Sequence, residues 1–174
     1  MVDGVYVVYR VARAVVADKA ALFDAGLATP EAMAAASWQD RVVVLTTHGY
    51  KRYDESTARM LCDTAAQLRA EYAGDLRKLR AAAGADPKEE RRRLRAFKGL
   101  GPVGVDIFCR EAQLAWRELW PFADKKALRA AARLGLPDSA AGLARLVPEQ
   151  DLPRLVAALV RTDLANDYDA IPGR

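Results

Sequence analysis

Histidine and cysteine are almost absent from this 174-residue chain, which holds one His, His48, and two Cys, Cys62 and Cys109. A single histidine excludes a two-histidine metal site. Two cysteines exclude a disulfide framework and any four-cysteine zinc or iron–sulfur site, and they fit a reducing interior. Long apolar runs are missing too, because charges interrupt each of them. The start, Val2-Asp3-Gly4, shows no basic segment followed by an apolar stretch and a small-residue cleavage site. Neither secretion nor a membrane span is expected, and the chain reads as cytoplasmic. Strand signals are equally scarce, with one β-branched run at Val42-Val43-Val44-Leu45-Thr46-Thr47.

What is present suffices for a core. Hydrophobic residues make up 52% and charged residues 29%, a balance without the signature of disorder. The length suits one compact domain or two small lobes. A net charge of +4 and a pI near 9.2 permit a polyanionic partner without identifying one.

Helix grammar recurs along the chain. Thr29-Pro30-Glu31 reads as an N-cap, a proline at the first helical position and an acid in the first turn. Ser37 and Asp40 resemble a capping box with Asp in place of Glu or Gln, so 37–48 is expected to be helical despite its valines. Asp54 opens a long helix carrying Ala58, Leu61, Ala65 and Leu68 and stopped by Gly74, and Asp86-Pro87 opens another that ends at Gly99. Helical periodicity also marks 4–25, 103–119, 124–134, 139–146 and 151–164, while 166–174 reads as a frayed tail. The expected class is all-α, with eight to ten short helices.

Charge is unevenly placed. From Asp75 to Arg129 there are 14 Lys+Arg against 8 Asp+Glu, net +6, and the remainder holds 13 against 15, net −2. The run Lys88-Glu89-Glu90-Arg91-Arg92-Arg93 alone reads as a solvated helix face, but the wider excess surrounds a glycine motif. That motif is Leu94-x-x-Phe97-Lys98-Gly99-Leu100-Gly101-Pro102-Val103-Gly104-Val105. Gly99 to Gly104 spell GxGxxG, yet a charged helix precedes them and no parallel sheet is available, so the dinucleotide reading fails on context.

A helix–hairpin–helix element fits instead. Leu94 and Phe97 lie one turn apart as core anchors, and Gly99 and Gly101 let the backbone turn and expose its N–H groups. A second helix starting near Val103 aims its free amides outward. Such a nest binds a phosphate oxygen without sequence preference, with Lys98, Arg95 and Arg91 adding charge. The plainer alternative is an ordinary αα-hairpin with a glycine turn.

With these residues in place, the sequence resembles the helix–hairpin–helix DNA glycosylases, the superfamily of endonuclease III and the alkylbase glycosylases. The resemblance covers roughly residues 29 to 160. After the hairpin come Asp106-Ile107-Phe108-Cys109-Arg110, then Trp120-Pro121-Phe122-Ala123-Asp124, then Arg129-Ala130-Ala131-Ala132-Arg133-Leu134-Gly135-Leu136-Pro137. Upstream, the likeness runs through Thr29-Pro30-Glu31-Ala32-Met33, His48-Gly49-Tyr50 and Glu71-Tyr72-Ala73-Gly74-Asp75, and downstream through Leu146-Val147-Pro148.

The resemblance implies double-stranded DNA as partner, held mainly through its phosphates by Lys98, Gly99, Leu100, Gly101, Val103, Gly104 and Arg95. It implies Asp124 as the catalytic carboxylate, and no iron–sulfur cluster, with a monovalent cation at the hairpin carbonyls as the one ion it allows. It also implies two lobes, a helical barrel over 1–119 containing the hairpin at 94–110 and a smaller lobe over 120–174. The groove between them is expected to carry Asp124 opposite the hairpin. Neither a membrane nor a protein partner is implied.

Departures from the family pattern shape the expectation. The lysine nucleophile of strand-cleaving members falls on Val103, so Schiff-base chemistry is not expected. Residues 1–28 are expected to be too few for both the additional helix and the side-chain wedge of the family, which bears on base flipping. Asp124 has a structural reading as well, as an N-cap at the start of a helix, and a capped carboxylate suits both roles.

Trp116 and Trp120, four apart on one expected helix, are candidates to stack on a flipped base, with core packing as the alternative. Tyr50 and Tyr53 are weaker candidates beside His48, which is expected to close its helix on the last carbonyls. Cys62 and Cys109 read as buried structural thiols. The sequence thus points to a monofunctional DNA N-glycosylase of base excision repair, acting by hydrolysis. The alternative is a non-catalytic duplex-binding relative that no longer flips a base, and third comes a helical interaction module independent of DNA.

Overall fold

A computed structural model of the chain describes residues 19–168. Among these residues there are ten α-helices and no strand: α1 (Lys19–Asp24), α2 (Pro30–Ala35), α3 (Trp38–Thr47), α4 (Asp54–Tyr72), α5 (Leu76–Ala82), α6 (Pro87–Arg95), α7 (Pro102–Ala112), α8 (Lys125–Arg133), α9 (Ala140–Ala144) and α10 (Leu152–Ala165). Short 3-10 turns occupy Arg117–Leu119 and Glu149–Asp151. No described helix is long and apolar enough to cross a membrane. The all-α class read from the sequence holds; of the helical stretch expected over 4–25, the part before residue 19 lies outside the described residues.

Six helices start behind a side-chain oxygen that accepts from an otherwise unpaired backbone N–H: Thr29, Ser37, Asp75, Asp86, Asp124 and Ser139. Each such cap contributes about 1 kcal/mol. At Ser37 the capping box is complete, since Asp40 N–H donates to Ser37 Oγ at 3.1 Å and Ser37 N–H donates to Asp40 Oδ2 at 3.3 Å. The cap sets the helical start of α3, and its valines then serve as packing groups. Leu45 is fully buried, with Val42 and Val44 against the same cluster.

Residues through Phe108 and residues from Cys109 onward form two compact units, parting within α7 rather than at 119/120. In the first, α4 is central. Its buried residues Thr57, Ala58, Leu61, Thr64, Ala65, Leu68 and Tyr72 make one apolar stripe at helical spacing, and α2 and α3 pack on it. Arg41 is buried among these helices, donating from Nε to Ala58 O at 3.0 Å and from a terminal nitrogen to Met33 O and Ala36 O at 2.9 and 2.5 Å. A guanidinium can be buried there because carbonyl dipoles replace its water.

In the second unit α8 packs against α10. Ala127, Ala130 and Ala131 present no bulk, so the helices approach closely around Val156, Leu159 and Val160. Tyr168 is buried beneath the guanidinium of Arg133, 3.6 Å from its ring centroid, and its hydroxyl donates to Asp163 at 3.0 Å. The chain at 166–168 is therefore anchored, which corrects the frayed-tail expectation there; 169–174 lie outside the described residues.

Asp163 also pairs with Arg129. That hydrogen bond lowers its pKa from 3.8 to about 2, with burial opposing and Tyr168 assisting. A carboxyl depressed in the folded state stabilises it above its unfolded pKa and loses that contribution as pH falls through its folded one. The α8–α10 packing should therefore weaken between pH 3.8 and about 2. Asp163→Asn should remove this part of the acid response, read by circular dichroism on acid titration of both proteins.

Two expected boundaries shift. The helix opened by Pro87 ends at Arg95 rather than Gly99, because Phe97 leaves the helical path to bury itself and Gly99 turns at φ +86°. The helix expected to reach 119 stops at Ala112, where the amides of Ala115 and Trp116 both turn onto Ala112 O.

Candidate nucleic-acid interface and carboxylate site

The hairpin is built in the first unit from α6, the turn 96–101 and the start of α7. Leu94, Phe97 and Leu100 are buried, so the turn is pinned from below by three apolar anchors. Phe97 lies beside Tyr72, with ring centroids 6.2 Å apart. One face of α4 completes the seat. Met60 lies under Gly99, Asp63 pairs with Lys98 Nζ at 2.7 Å, Thr64 Oγ1 donates to Lys98 O at 3.2 Å, and Gln67 Nε2 reaches Ala96 O at 3.5 Å. These positions, 60, 63, 64 and 67, recur at one helical face. Arg91 of α6 bonds Asp106 of α7 at 2.5 Å and ties the two arms together.

The three glycines have different reasons. At Gly99 φ is +86° and a Cβ would lie 2.7 Å from Met60 Sδ, so the fold itself requires glycine. At Gly104 a Cβ would meet Leu100 Cδ1 at 2.8 Å, so this glycine makes room for the tip anchor. At Gly101 φ is not left-handed and a Cβ would meet nothing within 4 Å. The internal packing leaves Gly101 free to be larger, and it is exposed where an incoming ligand would meet it.

Gly101 also precedes α7 and has no side chain to cap it. The first bond closing α7 runs from Val105 N–H to Gly101 O, so the amides of Val103 and Gly104 have no carbonyl four residues back in the helix. Val103 is 60% exposed beside them. Leu100, by contrast, is buried, so only its backbone is available to a ligand. Arg95 is exposed, while Lys98 is exposed and engaged with Asp63. Of the hairpin carbonyls, those of Phe97, Lys98 and Gly101 already accept hydrogen bonds, so a monovalent cation there would use their second lone pairs. Among the described residues no group of three or more His, Cys, Asp or Glu is placed to hold a metal ion.

Asp124 lies in the second unit, 7% exposed, as the N-cap of α8. Its Oδ1 accepts from Lys126 N–H at 3.0 Å and Ala127 N–H at 3.2 Å, and its Oδ2 accepts from Arg110 at 2.5 Å. The Arg110 and Asp124 side chains are both buried, and Arg110 Nε has no hydrogen-bond partner among the described residues. Gln113, fully buried, straps the segment before Asp124. Its Nε2 donates to Arg110 O at 2.7 Å and Phe122 O at 3.3 Å, and its Oε1 accepts from Phe122 N–H at 2.9 Å. Sequence reasoning missed Arg110, in the last turn of α7, and Gln113, the residue just past its end, whose partners come from the chain that folds back at 122–124.

The aromatic candidates are dispersed. Trp116 and Trp120 do not share a helix, since they flank the 3-10 turn Arg117–Leu119. Trp116 is buried, and Trp120 is half-buried against the α8–α10 core beneath Arg117. Tyr50 packs on the first unit's core, and Tyr53 is exposed beneath Arg52. His48 closes α3 as expected, its Nδ1 lying 2.8 Å from Val44 O. Cys109 is buried and Cys62 only half-buried.

Comparison with protein-family models, with curated proteins and with solved structures gives no match. The functional reading therefore stands on the geometry of the chain itself.

Proposed function

We propose that the chain is a monofunctional DNA N-glycosylase-like protein of base excision repair. In this reading the hairpin 94–110 grips a phosphodiester of duplex DNA and Asp124 serves hydrolysis of the bond between sugar and a damaged or mismatched base. The observation that carries the DNA-binding part is the pair of open amides at Val103 and Gly104 beside a glycine that packing does not require. A carboxylate offers about four acceptor positions, and Asp124 uses three, which leaves one for a water. That water would attack C1′ as the bond to the base breaks, the electron pair leaving with the base and the water's proton passing to the carboxylate. Val103 is a hydrocarbon and forms no Schiff base, so the product is an abasic site in an uncut strand.

One observation favours the non-catalytic alternative. Asp124 is nearly enclosed and both its oxygens are engaged, which suits a structural cap in a protein that binds duplex DNA without excising a base.

The hairpin is tested by Gly101→Ser. The open space accepts the side chain, and the hydroxyl can cap α7, so thermal stability should not fall. The added atoms block the phosphate's approach, so duplex affinity should drop about tenfold, the loss of roughly one charge-assisted contact. Fluorescence anisotropy with a labelled duplex reads the difference, and equal affinity for both proteins would exclude the hairpin as the contact.

A further inference from the structure

Beside the hairpin, four cations share one side of α6. Lys88, Arg91, Arg92 and Arg95 stand at positions i, i+3, i+4 and i+7 and line a cleft of about 530 Å³ together with Ala96 and Pro102. Liquid water occupies about 30 Å³ per molecule, so this volume accommodates a phosphate group with its hydration. No carboxylate is among the lining residues.

The four cations divide into two pairs. Arg91 is bonded to Asp106, and Arg92 is bonded to Glu89 through Nε and a terminal nitrogen at 2.7 and 2.6 Å. Those contacts hold two guanidiniums in place and partly offset their charge. Lys88 and Arg95 are exposed, and no ion pair ties either of them among the described residues. Like charges at this helical spacing repel, so an anion entering the cleft relieves a cost that the free protein carries. The lining contains no aromatic ring on which a base could stack, which makes the cleft selective for phosphate rather than for base identity.

We propose that this cleft is a second phosphate site, holding a backbone phosphodiester of the same strand next to the one gripped by the hairpin, with Lys88 and Arg95 as its principal contacts. The proposal rests on the hairpin reading. Pro102 supplies the link, because it lines the cleft and is followed directly by the open amides of Val103 and Gly104. Two adjoining phosphate contacts fix the direction of a strand as well as its position, which one contact cannot do.

The test is the salt dependence of duplex binding by the full chain and by Lys88→Gln/Arg95→Gln, with thermal unfolding and far-ultraviolet circular dichroism as folding controls. Each neutralised phosphate contributes about 0.9 to the slope of log K against log salt, so losing the one phosphodiester held in the cleft should make the variant's slope shallower by about 0.9. A parallel arm measures protection of both proteins against heat by inorganic phosphate alone. A shallower slope in a folded variant supports the site. An unchanged slope, with the wild-type chain binding duplex normally, overturns it and leaves the hairpin reading intact. Phosphate protection lost in the variant while the duplex slope stays the same overturns it in favour of a free-anion site. Absence of salt-dependent duplex binding by the wild-type chain overturns the hairpin reading and this proposal together.

Discussion

Arg110→Ala is expected to lower the stability of the chain by about 3–5 kcal/mol, the cost of leaving one member of a buried ion pair alone. The two side chains are 10% and 5% exposed, so solvent does little to replace the lost partner. Asp124 would keep its two backbone N–H donors but lose the guanidinium on Oδ2. Arg110 O would still accept from Gln113, so the strap itself survives and the loss reports the pair. Urea denaturation measures the effect, and a double-mutant cycle isolates it. Arg110→Met/Asp124→Asn should recover part of the loss, because replacing both partners removes the uncompensated charge. A loss below 1 kcal/mol would mean that the pair is solvated in solution.

Asp124→Asn carries the second large effect. The amide oxygen still accepts from Lys126 and Ala127 N–H, so α8 keeps its cap. An amide neither takes a proton from water nor stabilises positive charge on the sugar, so base release should fall by roughly 10²- to 10⁴-fold. Duplex affinity should stay within about twofold, since the phosphate contacts proposed above use other residues. Single-turnover kinetics and anisotropy on the same preparation read the two quantities, once circular dichroism shows the variant folded. The double variant is the reference for fold, because with Arg110 replaced by Met it buries no unpaired guanidinium. A decline in affinity as large as the decline in rate would point to a structural rather than a chemical role.

The parts of the fold that were legible were those governed by local chemistry. Caps at Thr29, Ser37, Asp86 and Asp124 depend on one side chain and the next three amides, so the sequence reports them directly. The hairpin's anchors, Leu94 and Phe97, were legible for the same reason, as was His48 at the end of α3. What failed depends on packing between distant segments. Nothing local announces that α7 stops at Ala112, since residues 113–119 keep an acceptable helical pattern; the boundary lies where the backbone turns toward the buried Trp116. With the helix shortened, the proposed Trp116–Trp120 pair dissolved.

The reasons for the glycines were likewise hidden. Gly104 serves Leu100, and Gly99 serves both its own turn and Met60, which is distant in sequence. Arg110 was invisible as the partner of Asp124 because the intervening chain must first fold back through Gln113 and Phe122. The stripe of α4 that seats the hairpin carries no apolar signal, for its members Asp63 and Gln67 are polar and meet their partners only in three dimensions.

Base release decides the account. Duplexes carrying deaminated, oxidised, alkylated or mismatched bases, incubated with the wild-type chain and analysed with and without hot alkali, should show strand breaks with at least one substrate, and only after alkali. That outcome requires hydrolysis of the glycosidic bond without a lyase step, as the role proposed for Asp124 and the absence of an amine at Val103 predict. Breaks that need no alkali would contradict the assignment of chemistry. No release from any substrate, with salt-dependent duplex binding intact, would contradict the glycosylase reading and leave the hairpin as the grip of a DNA-binding protein.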